Sequence, residues 1–412
     1  MYLTRLLARL SIKHICSILL RQKYTVLILV LQIALATAVL SNGLFIALER
    51  YKTVHTSSGL DELNSFFLTS SGFTDSFNPK NSIQADLAKI RALPEVVNVV
   101  KTNSFPYSET GDEFGLTIEQ DNQNPVNAAS YKLDEHGLET FGLELIAGQN
   151  FTKNQVTWQS EHDKKFAAQI LLTARTAVAL FNTEDWQSII GKPIFIDNNQ
   201  IVTVIGIIKK LHGPWAKSEH LEHSFITPSV VTHNSSRYFI RVKPGLLEDM
   251  MNHIAHALSL HDKQRVIRKV TSLSEAKKQV FGADLAALSI VFTVMGALSL
   301  VVALGIMGAS SLKVFKQTKQ IGIRRALGAN KFDILRHYLL ENLMVTTMGI
   351  LLGVFFAVTL NVLLVNHYGF SKLPIMYLVA AALVMYLLNI LATLKPISNA
   401  IRITPVTATQ SI

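Results

Sequence analysis

The chain has 412 residues, of which 49% are hydrophobic and 17% are charged, and its formal net charge is +10. Cys16 is its single cysteine, which excludes the class of small secreted modules that are held together by several disulfides. The basic balance does not indicate nucleic acid binding, because the cations concentrate beside long apolar runs, where anionic lipid attracts them.

The segment 1–23 precedes the first apolar run and is predicted to form a cytoplasmic helix in the membrane interface. Leu3, Leu7 and Leu10 fall on roughly one helical side, while the cations of the segment lie elsewhere. The alternative is that these cations only set the topology of the chain.

Four apolar runs predict transmembrane helices. Each run holds about 20 or more residues without Asp, Glu, Lys or Arg, enough to cross roughly 30 Å of hydrocarbon as a helix. The predicted spans are 24–48, 285–309, 343–365 and 375–394. The first run could also be a secretory signal, but about 25 uncharged residues exceed the usual apolar core of a signal, and no clear cleavage site follows.

The distribution of Lys and Arg predicts how the spans are oriented. Cations precede the first span, crowd the segment 310–342 and recur in the tail 395–412, so the positive-inside rule places both termini and this segment in the cytoplasm. The mildly acidic interval 49–284 is then extracytoplasmic, and 366–374 is a short external loop. The predicted fold class is a membrane protein with one N-terminal and three C-terminal transmembrane helices plus a large extracytoplasmic domain.

The extracytoplasmic interval has a mixed α/β pattern. Apolar residues with helical spacing predict helices over 83–92 and 246–260. Short runs of β-forming residues predict strands at 96–100, 194–196, 201–208 and 238–242. Asn198 and Asn199 have turn-forming chemistry and predict a hairpin over 193–208. Because spans one and two deliver the two ends of the interval to the same membrane face, these ends are predicted to pack together.

The same interval contains a histidine-rich stretch, 211–233, that raises the question of a metal or catalytic site. It has no HExxH motif and no carboxylate with convincing metal-ligand spacing, and the interval has no nucleophile motif. We therefore predict no metal and no catalytic residue, and interpret 211–233 as a solvated loop. A contact with a partner protein is the alternative, favoured by the aromatic residues Trp215 and Phe225.

The basic segment 310–342 predicts a helix, a break and a second helix. Gly328 is a helix terminator, Asn330 is an N-cap candidate, and Asp333 stands three residues later, as in a capping box. The first helix is predicted to lie across the membrane surface, and the second to continue into span three. One face of the second helix is predicted to present Phe332, Leu335 and Leu339. The alternative is an ordinary basic inner loop.

Few polar residues lie inside the predicted spans, and none of them is charged, so no proton or ion path is indicated. Gln32, Asn42, Asn361 and Asn389 are predicted to make hydrogen bonds between helices. The pair Gly349 and Gly353 permits close helix packing, either between two chains or within one.

Three segments of the C-terminal half are IGIRRALGANKFDILRHYLLEN, GILLGVFF and PISNAIRITPV. They resemble the C-terminal region of the FtsX-like permease family, in its MacB-type branch. The outer interval is similar to the periplasmic core domain of that branch in the segments LPEVVNV, FGLELIAGQNF and IIGKPIFIDNNQIVTVIGII. The resemblance covers nearly the whole chain. Gln320 departs from the family, which usually has Glu before Ile-Gly, so a family salt bridge at that place is in doubt.

The resemblance implies a type VII ABC permease in the inner membrane of a bacterium, with the large domain in the periplasm and both termini in the cytoplasm. The residues that would dock on the ATPase are Ile321, Gly322, Arg324, Arg325, Ala326, Leu327, Gly328 and Ala329. The chain has no phosphate-binding G-x-x-x-x-G-K-[ST] motif, since Gly191-Lys192 is followed by proline. We therefore expect a non-catalytic permease that binds no cofactor itself, with ATP and Mg²⁺ on a separate ABC ATPase.

The resemblance further implies a complex with a second permease chain, a periplasmic adaptor and an outer-membrane channel, set in the lipid bilayer and without nucleic acid. The expected function is export of a peptide, natural product or antibiotic by motion that ATP drives. Two alternatives remain open, namely extraction of lipoproteins and mechanical regulation of a cell-wall hydrolase. The size of the outer interval counts against the second alternative, whose known form has a much smaller outer domain.

Overall fold

A computed structural model describes residues 23–120, 124–160, 163, 165–197, 200–326, 330–368 and 372–402. The chain divides into an α/β unit, Thr56–Gly282, and a helical unit formed by the rest. Residues 1–22 of the predicted interfacial helix over 1–23, and most of the tail 395–412, lie outside the described residues.

The described helices are α1 (Lys23–His55), α2 (Pro79–Arg91), α3 (Gly137–Phe141), α4 (Ala174–Phe181), α5 (Trp186–Ile189), α6 (Leu247–His261), α7 (Leu273–Val280), α8 (Gly282–Lys316), α9 (Thr318–Ala326), α10 (Lys331–Tyr368) and α11 (Ile375–Arg402). The strands are β1 (Ser65–Gly72), β2 (Val96–Thr102), β3 (Asp112–Thr117), β4 (Val126–Leu133), β5 (Leu145–Gly148), β6 (Thr157–Ser160), β7 (Gln169–Thr173), β8 (Pro193–Ile196), β9 (Gln200–Ile208), β10 (Ser224–Thr232), β11 (Ser235–Val242) and β12 (Arg265–Ser272).

The helical unit contains four described helices that are long and apolar enough to cross a membrane: α1, α8, α10 and α11. The predicted arrangement of one N-terminal and three C-terminal spans is confirmed. Each helix extends beyond its uncharged run, because the charged residues that flank the runs are also good helix formers. Helix α11 continues beyond the predicted span 375–394, past Pro396, to Arg402.

The α/β unit begins and ends in one four-stranded sheet with the order β12-β1-β11-β2. β1 follows the first span and β12 leads towards the second, and the two strands pair antiparallel with Phe66 opposite Ser272. The predicted packing of the two ends of the interval is therefore confirmed. Helices α2 and α6 cover this sheet and bury Ile83, Ile90 and Ile254 against it.

The second sheet of the α/β unit has the order β4-β3-β8-β9-β7-β10-β6, and an additional pairing of β4 with β10 closes six of its strands into a ring. The ring encloses a core that includes Leu116, Ile170, Ile194, Val204 and Phe225. The predicted hairpin is confirmed, because β8 pairs with β9 antiparallel, although its turn at 198–199 lies outside the described residues.

The prediction that 211–233 is a solvated loop was wrong in part, although 217–223 has no helix or strand and is exposed or half-buried. Leu211 and His212 are buried, and the second part of the stretch forms β10, which is buried over most of its length. The histidines and serines of the stretch suggested solvent exposure, but the backbone of β10 pairs with β4, β6 and β7 of the second sheet. The buried start of the stretch and β10 therefore belong to the framework of the unit.

Candidate functional site

The predicted coupling helix corresponds to α9, which follows α8 after an interruption at Gln317. The Thr318 hydroxyl donates to the carbonyl oxygens of Val314 at 3.1 Å and Phe315 at 2.9 Å, so it ties the start of α9 to the end of α8. The backbone N–H of Ile321 donates to the carbonyl of Gln317 at 2.9 Å. The helix is thus attached firmly to span two, whereas the sequence predicted a helix free to lie on the membrane surface.

One side of α9 is anchored in a small apolar cluster. Ile321 is 3% exposed and packs with residues of three other helices. The buried members of the cluster are Val314, Ile321, Ile334, Tyr338 and Ile397. Gly322 is buried beside them. Two of the predicted coupling residues, Ile321 and Gly322, therefore hold the helix in place and face away from solvent.

The opposite side of α9 is exposed and combines charge with apolar surface. Arg324 and Ala326 are exposed, and Ile323 is 52% exposed. Ile323 was absent from the predicted set, because the sequence alone does not distinguish it from the buried Ile321. The side chain of Arg325 and all of Leu327, Gly328 and Ala329 lie outside what the structure describes.

The start of α10 has the predicted cap. The Asp333 carboxylate accepts a hydrogen bond from the backbone N–H of Asn330 at 3.0 Å, which is the returning half of a capping box. The predicted apolar face was wrong in part, because Phe332 is 69% exposed. The buried face instead carries Ile334, Tyr338 and Glu341, whose spacing also fits one side of a helix.

A buried ion pair lies beside the apolar cluster. Lys313 of α8 pairs with Glu341 of α10, and their side chains are 13% and 2% exposed. Next to the pair, the Tyr338 hydroxyl donates to Gln317 Oε1 at 2.6 Å. The sequence reasoning overlooked Glu341, and the signal was a lone acid in the apolar stretch YLLENLM. The two helices on either side of α9, namely α8 and α10, are thus joined directly to each other by the Lys313–Glu341 pair.

The glycines of span three approach span one of the same chain. A Cβ atom added to Gly349 would lie 2.6 Å from Ile33 Cγ2. A Cβ atom added to Gly353 would lie 2.6 Å from Thr37 Cβ and 2.7 Å from the carbonyl oxygen of Ala34. These distances are far below ordinary contact, so both glycines permit close packing of α10 on α1 within one chain.

Polar side chains inside the spans also join helices of the same chain, as predicted. Gln32 Nε2 donates to the carbonyl of Val301 at 2.9 Å, and Asn42 Nδ2 donates to that of Ala357 at 3.1 Å. The amide of Asn389 in α11 donates to the carbonyl of Asn342 in α10 at 3.3 Å. The fourth residue, Asn361, accepts from the backbone N–H of Leu373 at 2.9 Å and so holds Leu373 just before α11.

The histidines of the α/β unit do not form a metal centre in the part of the chain that the structure describes. His212 is 2% exposed, and burial, with Lys210 nearby, lowers its pKa to about 4. Its carbonyl oxygen accepts from the Tyr131 hydroxyl at 2.6 Å. We interpret His212 as a neutral residue that fixes the backbone beneath the second sheet.

Comparison with protein families yields two matches that together cover most of the chain. The description "FtsX-like permease C-terminal" matches residues 292–405, which include α9 and the spans on either side of it. The description "MacB-like periplasmic core domain" matches residues 25–254, more than half of the chain.

Individual relatives carry the name macrolide export ATP-binding/permease protein MacB. The protein MacB 2 of Aeromonas hydrophila is 25% identical over 345 residues, which are 76% of this chain and 53% of the relative. The protein MacB of a Shewanella strain is 26% identical over 277 residues, 65% of this chain and 41% of the relative. The chain thus spans about half the length of the curated relatives that it matches.

A solved structure is also similar. The periplasmic region of MacB from Actinobacillus actinomycetemcomitans shares 16% identity and covers 56% of this chain and 98% of that chain, with a TM-score of 0.33.

Proposed function

Since the chain belongs to the FtsX-like permease family and carries a MacB-like periplasmic core domain, we propose that it is the permease subunit of an ABC-type export machine. In this proposal α9 is the coupling element, which docks on a separate ATPase subunit at the cytoplasmic face of the bacterial inner membrane. The observation that carries the proposal is that α9 has one anchored side and one exposed, cationic and apolar side.

The anchored side supports the transmission of motion. Ile321 is buried among residues of α8, α10 and α11, and the Lys313–Glu341 pair joins α8 to α10 beside it. A displacement of α9 by a docked partner would therefore move α8, α10 and α11 together, because a closely packed interior has low compressibility and transmits strain. The exposed side supports docking, since Arg324 can make bidentate contacts with a carboxylate and Ile323 can fill an apolar pocket.

The energy source in this proposal is a partner. The sequence has no phosphate-binding loop, and its named relatives, of which this chain matches about half, are called ATP-binding/permease proteins. We assign ATP and Mg²⁺ to a separate ATPase subunit, and we place two permease chains in each complex. A periplasmic adaptor and an outer-membrane channel would complete the path across the envelope.

The proposed cargo is a peptide, natural product or antibiotic. The relatives are named for macrolide export, and no charged residue lies in the central parts of the predicted spans that would mark an ion path. In this account the α/β unit receives motion that ATP hydrolysis drives and acts on the cargo or on the adaptor outside the membrane.

The test reverses the charge of the exposed side of α9. We expect Arg324→Glu combined with Arg325→Glu to lose most of the ATPase recovered by affinity purification of the membrane complex, and most of the turnover that the permease stimulates. The matched control is Lys372→Glu, which reverses a cation in the predicted external loop. If the double variant binds and stimulates the ATPase as the parent does, α9 is not the coupling element.

A second measurement separates export from signalling. Accumulation of radiolabelled erythromycin and of a labelled peptide is compared in cells with an active ATPase and in cells whose ATPase lacks its catalytic Glu. Extrusion that requires the active ATPase supports export. Unchanged accumulation together with altered cell-wall cleavage would contradict the proposed export function and favour regulation of a hydrolase.

A further inference from the structure

One carboxylate of the α/β unit gathers hydrogen bonds from three parts of the chain. Glu62 Oε1 accepts from the Tyr107 hydroxyl at 2.7 Å and from the Ser58 hydroxyl at 2.8 Å and backbone N–H at 3.1 Å. Glu62 Oε2 accepts from Lys277 Nζ at 2.8 Å. We call these four residues the Glu62 clasp.

The clasp joins the first and last segments of the unit. Glu62 and Ser58 lie just after α1, which ends at His55, and Lys277 lies in α7, just before α8 begins at Gly282. Lys277 Nζ also donates to the carbonyl of Thr56 at 3.3 Å, directly across the two segments. Each segment is continuous with a span, so the clasp connects the places where spans one and two enter the α/β unit.

Burial and charge make the clasp a strong contact. The side chains of Lys277 and Glu62 are 18% and 19% exposed, so solvent screens the pair only in part. Burial by itself would raise the pKa of Glu62, but the hydrogen bonds from Lys277, Tyr107 and Ser58 outweigh it and lower this pKa. Glu62 is therefore a carboxylate at neutral pH and keeps all its donors.

The third member of the clasp is held in a costly backbone conformation. Tyr107 has φ of 70°, in the left-handed region that a bulky residue rarely adopts. Its ring packs edge-on against Phe281 at 6.0 Å and lies 5.5 Å from Lys277 Nζ. Strain of this kind persists only where the surroundings determine the conformation. The contacts of Tyr107 with Glu62, Lys277 and Phe281 are therefore among those that hold the loop 103–111 in place.

A second contact fixes the same segment on its other side. Gly59 has φ of +95°, and a Cβ atom there would lie 2.4 Å from the carbonyl oxygen of Lys210. The backbone N–H of His212 donates to the carbonyl of Ser58 at 2.9 Å. The segment after span one is therefore also held against the chain that leaves β9.

We infer that the Glu62 clasp is a positioning device for export. It holds the segment after span one against the segment before span two, so that the two segments move the loop 103–111 together. This inference rests on the proposed function, because it concerns motion that an ATPase drives. Glu62 and Lys277 act through Tyr107 and need not touch the cargo.

The test is hydrogen–deuterium exchange of the permease–ATPase complex in lipid nanodiscs, with and without ATP and vanadate. For the parent we expect nucleotide to change exchange both in α9 and in 103–111. For Glu62→Gln and for the milder Lys277→Gln we expect the change in α9 to remain and the change in 103–111 to fall several-fold. The matched control is Lys278→Gln, which removes the neighbouring exposed lysine of α7.

Rescue distinguishes the clasp from a general effect on folding. The conservative variant Lys277→Arg, which keeps a cation that can donate to Glu62 Oε2, is expected to keep at least half of the nucleotide-dependent change in 103–111. An undiminished change in Lys277→Gln, or a loss in Lys277→Arg as large as in Lys277→Gln despite a normal melting temperature, overturns the clasp. A parent without any change in α9 contradicts the proposed function instead, so the two failures are distinguishable.

Discussion

Replacement of Gly353 by alanine tests the close packing of span three on span one. The added Cβ would lie 2.6 Å from Thr37 Cβ, 2.7 Å from the carbonyl oxygen of Ala34 and 3.0 Å from Ala34 Cα. Carbon atoms in contact prefer about 3.5–4.0 Å, so α1 and α10 must separate by roughly 1 Å. Two of the three atoms belong to the backbone and cannot rotate away.

The expected cost of this separation is about 1–3 kcal/mol, the range for overpacking a well-packed interior. The matched control is Gly296→Ala in α8, where nothing lies within 4 Å of the added Cβ. We expect the control to be neutral or to gain up to about 1 kcal/mol, because alanine favours a helix over glycine. The assay is unfolding in mixed micelles followed by far-ultraviolet circular dichroism, with light scattering to record the oligomeric state.

Equal stability of Gly353→Ala and Gly296→Ala would refute the packing argument. A variant that dissociates into single chains while each chain keeps its stability would also contradict it, since that result indicates that the two glycines contact a second permease chain.

Two further predictions concern buried ionisable residues. Lys313→Met is expected to destabilise the helical unit by about 3–5 kcal/mol, because it leaves Glu341 buried without its partner. The double variant with Glu341→Gln should recover part of this loss. An unchanged free energy of unfolding in Lys313→Met would contradict the ion pair. The lowered pKa of His212, about 4 against an ordinary 6.5, corresponds to about 3 kcal/mol of stability that is present above pH 6.5 and lost as the pH falls towards 4. His212→Gln should therefore flatten the acid dependence of the melting temperature of the α/β unit, and an unaltered acid dependence would contradict this account.

The sequence predicted the features that depend on local composition. The four apolar runs were sufficient to predict the spans, because each signal is one uncharged stretch. Asn330 and Asp333 were sufficient to predict the start of α10, because both lie within one helical turn. The pairing of β1 with β12 also followed from topology, since two spans must deliver both ends of the outer interval to one membrane face.

The features that the sequence did not predict depend on distant partners. β10 contains Pro228, which argues against a central strand, yet Pro228 lies where β10 exchanges its neighbour β4 for β6. Glu341 is an isolated acid in its own helix, and its partner Lys313 belongs to another helix. The exposed side of α9 likewise depends on packing with other helices. Ile321 is buried among residues of α8, α10 and α11, so only the folded chain distinguishes it from the exposed Ile323.

The central claim is that the exposed side of α9 docks on an ATPase, and site-specific photo-crosslinking tests it most directly. A benzoylphenylalanine residue is placed at Ile323, and the control is Val384 of α11, which is 42% exposed in a span. We predict that illumination of cells joins the ATPase subunit to the chain labelled at Ile323 and not to the chain labelled at Val384. A complex that purifies intact but gives no ATPase adduct at Ile323 would contradict the claim.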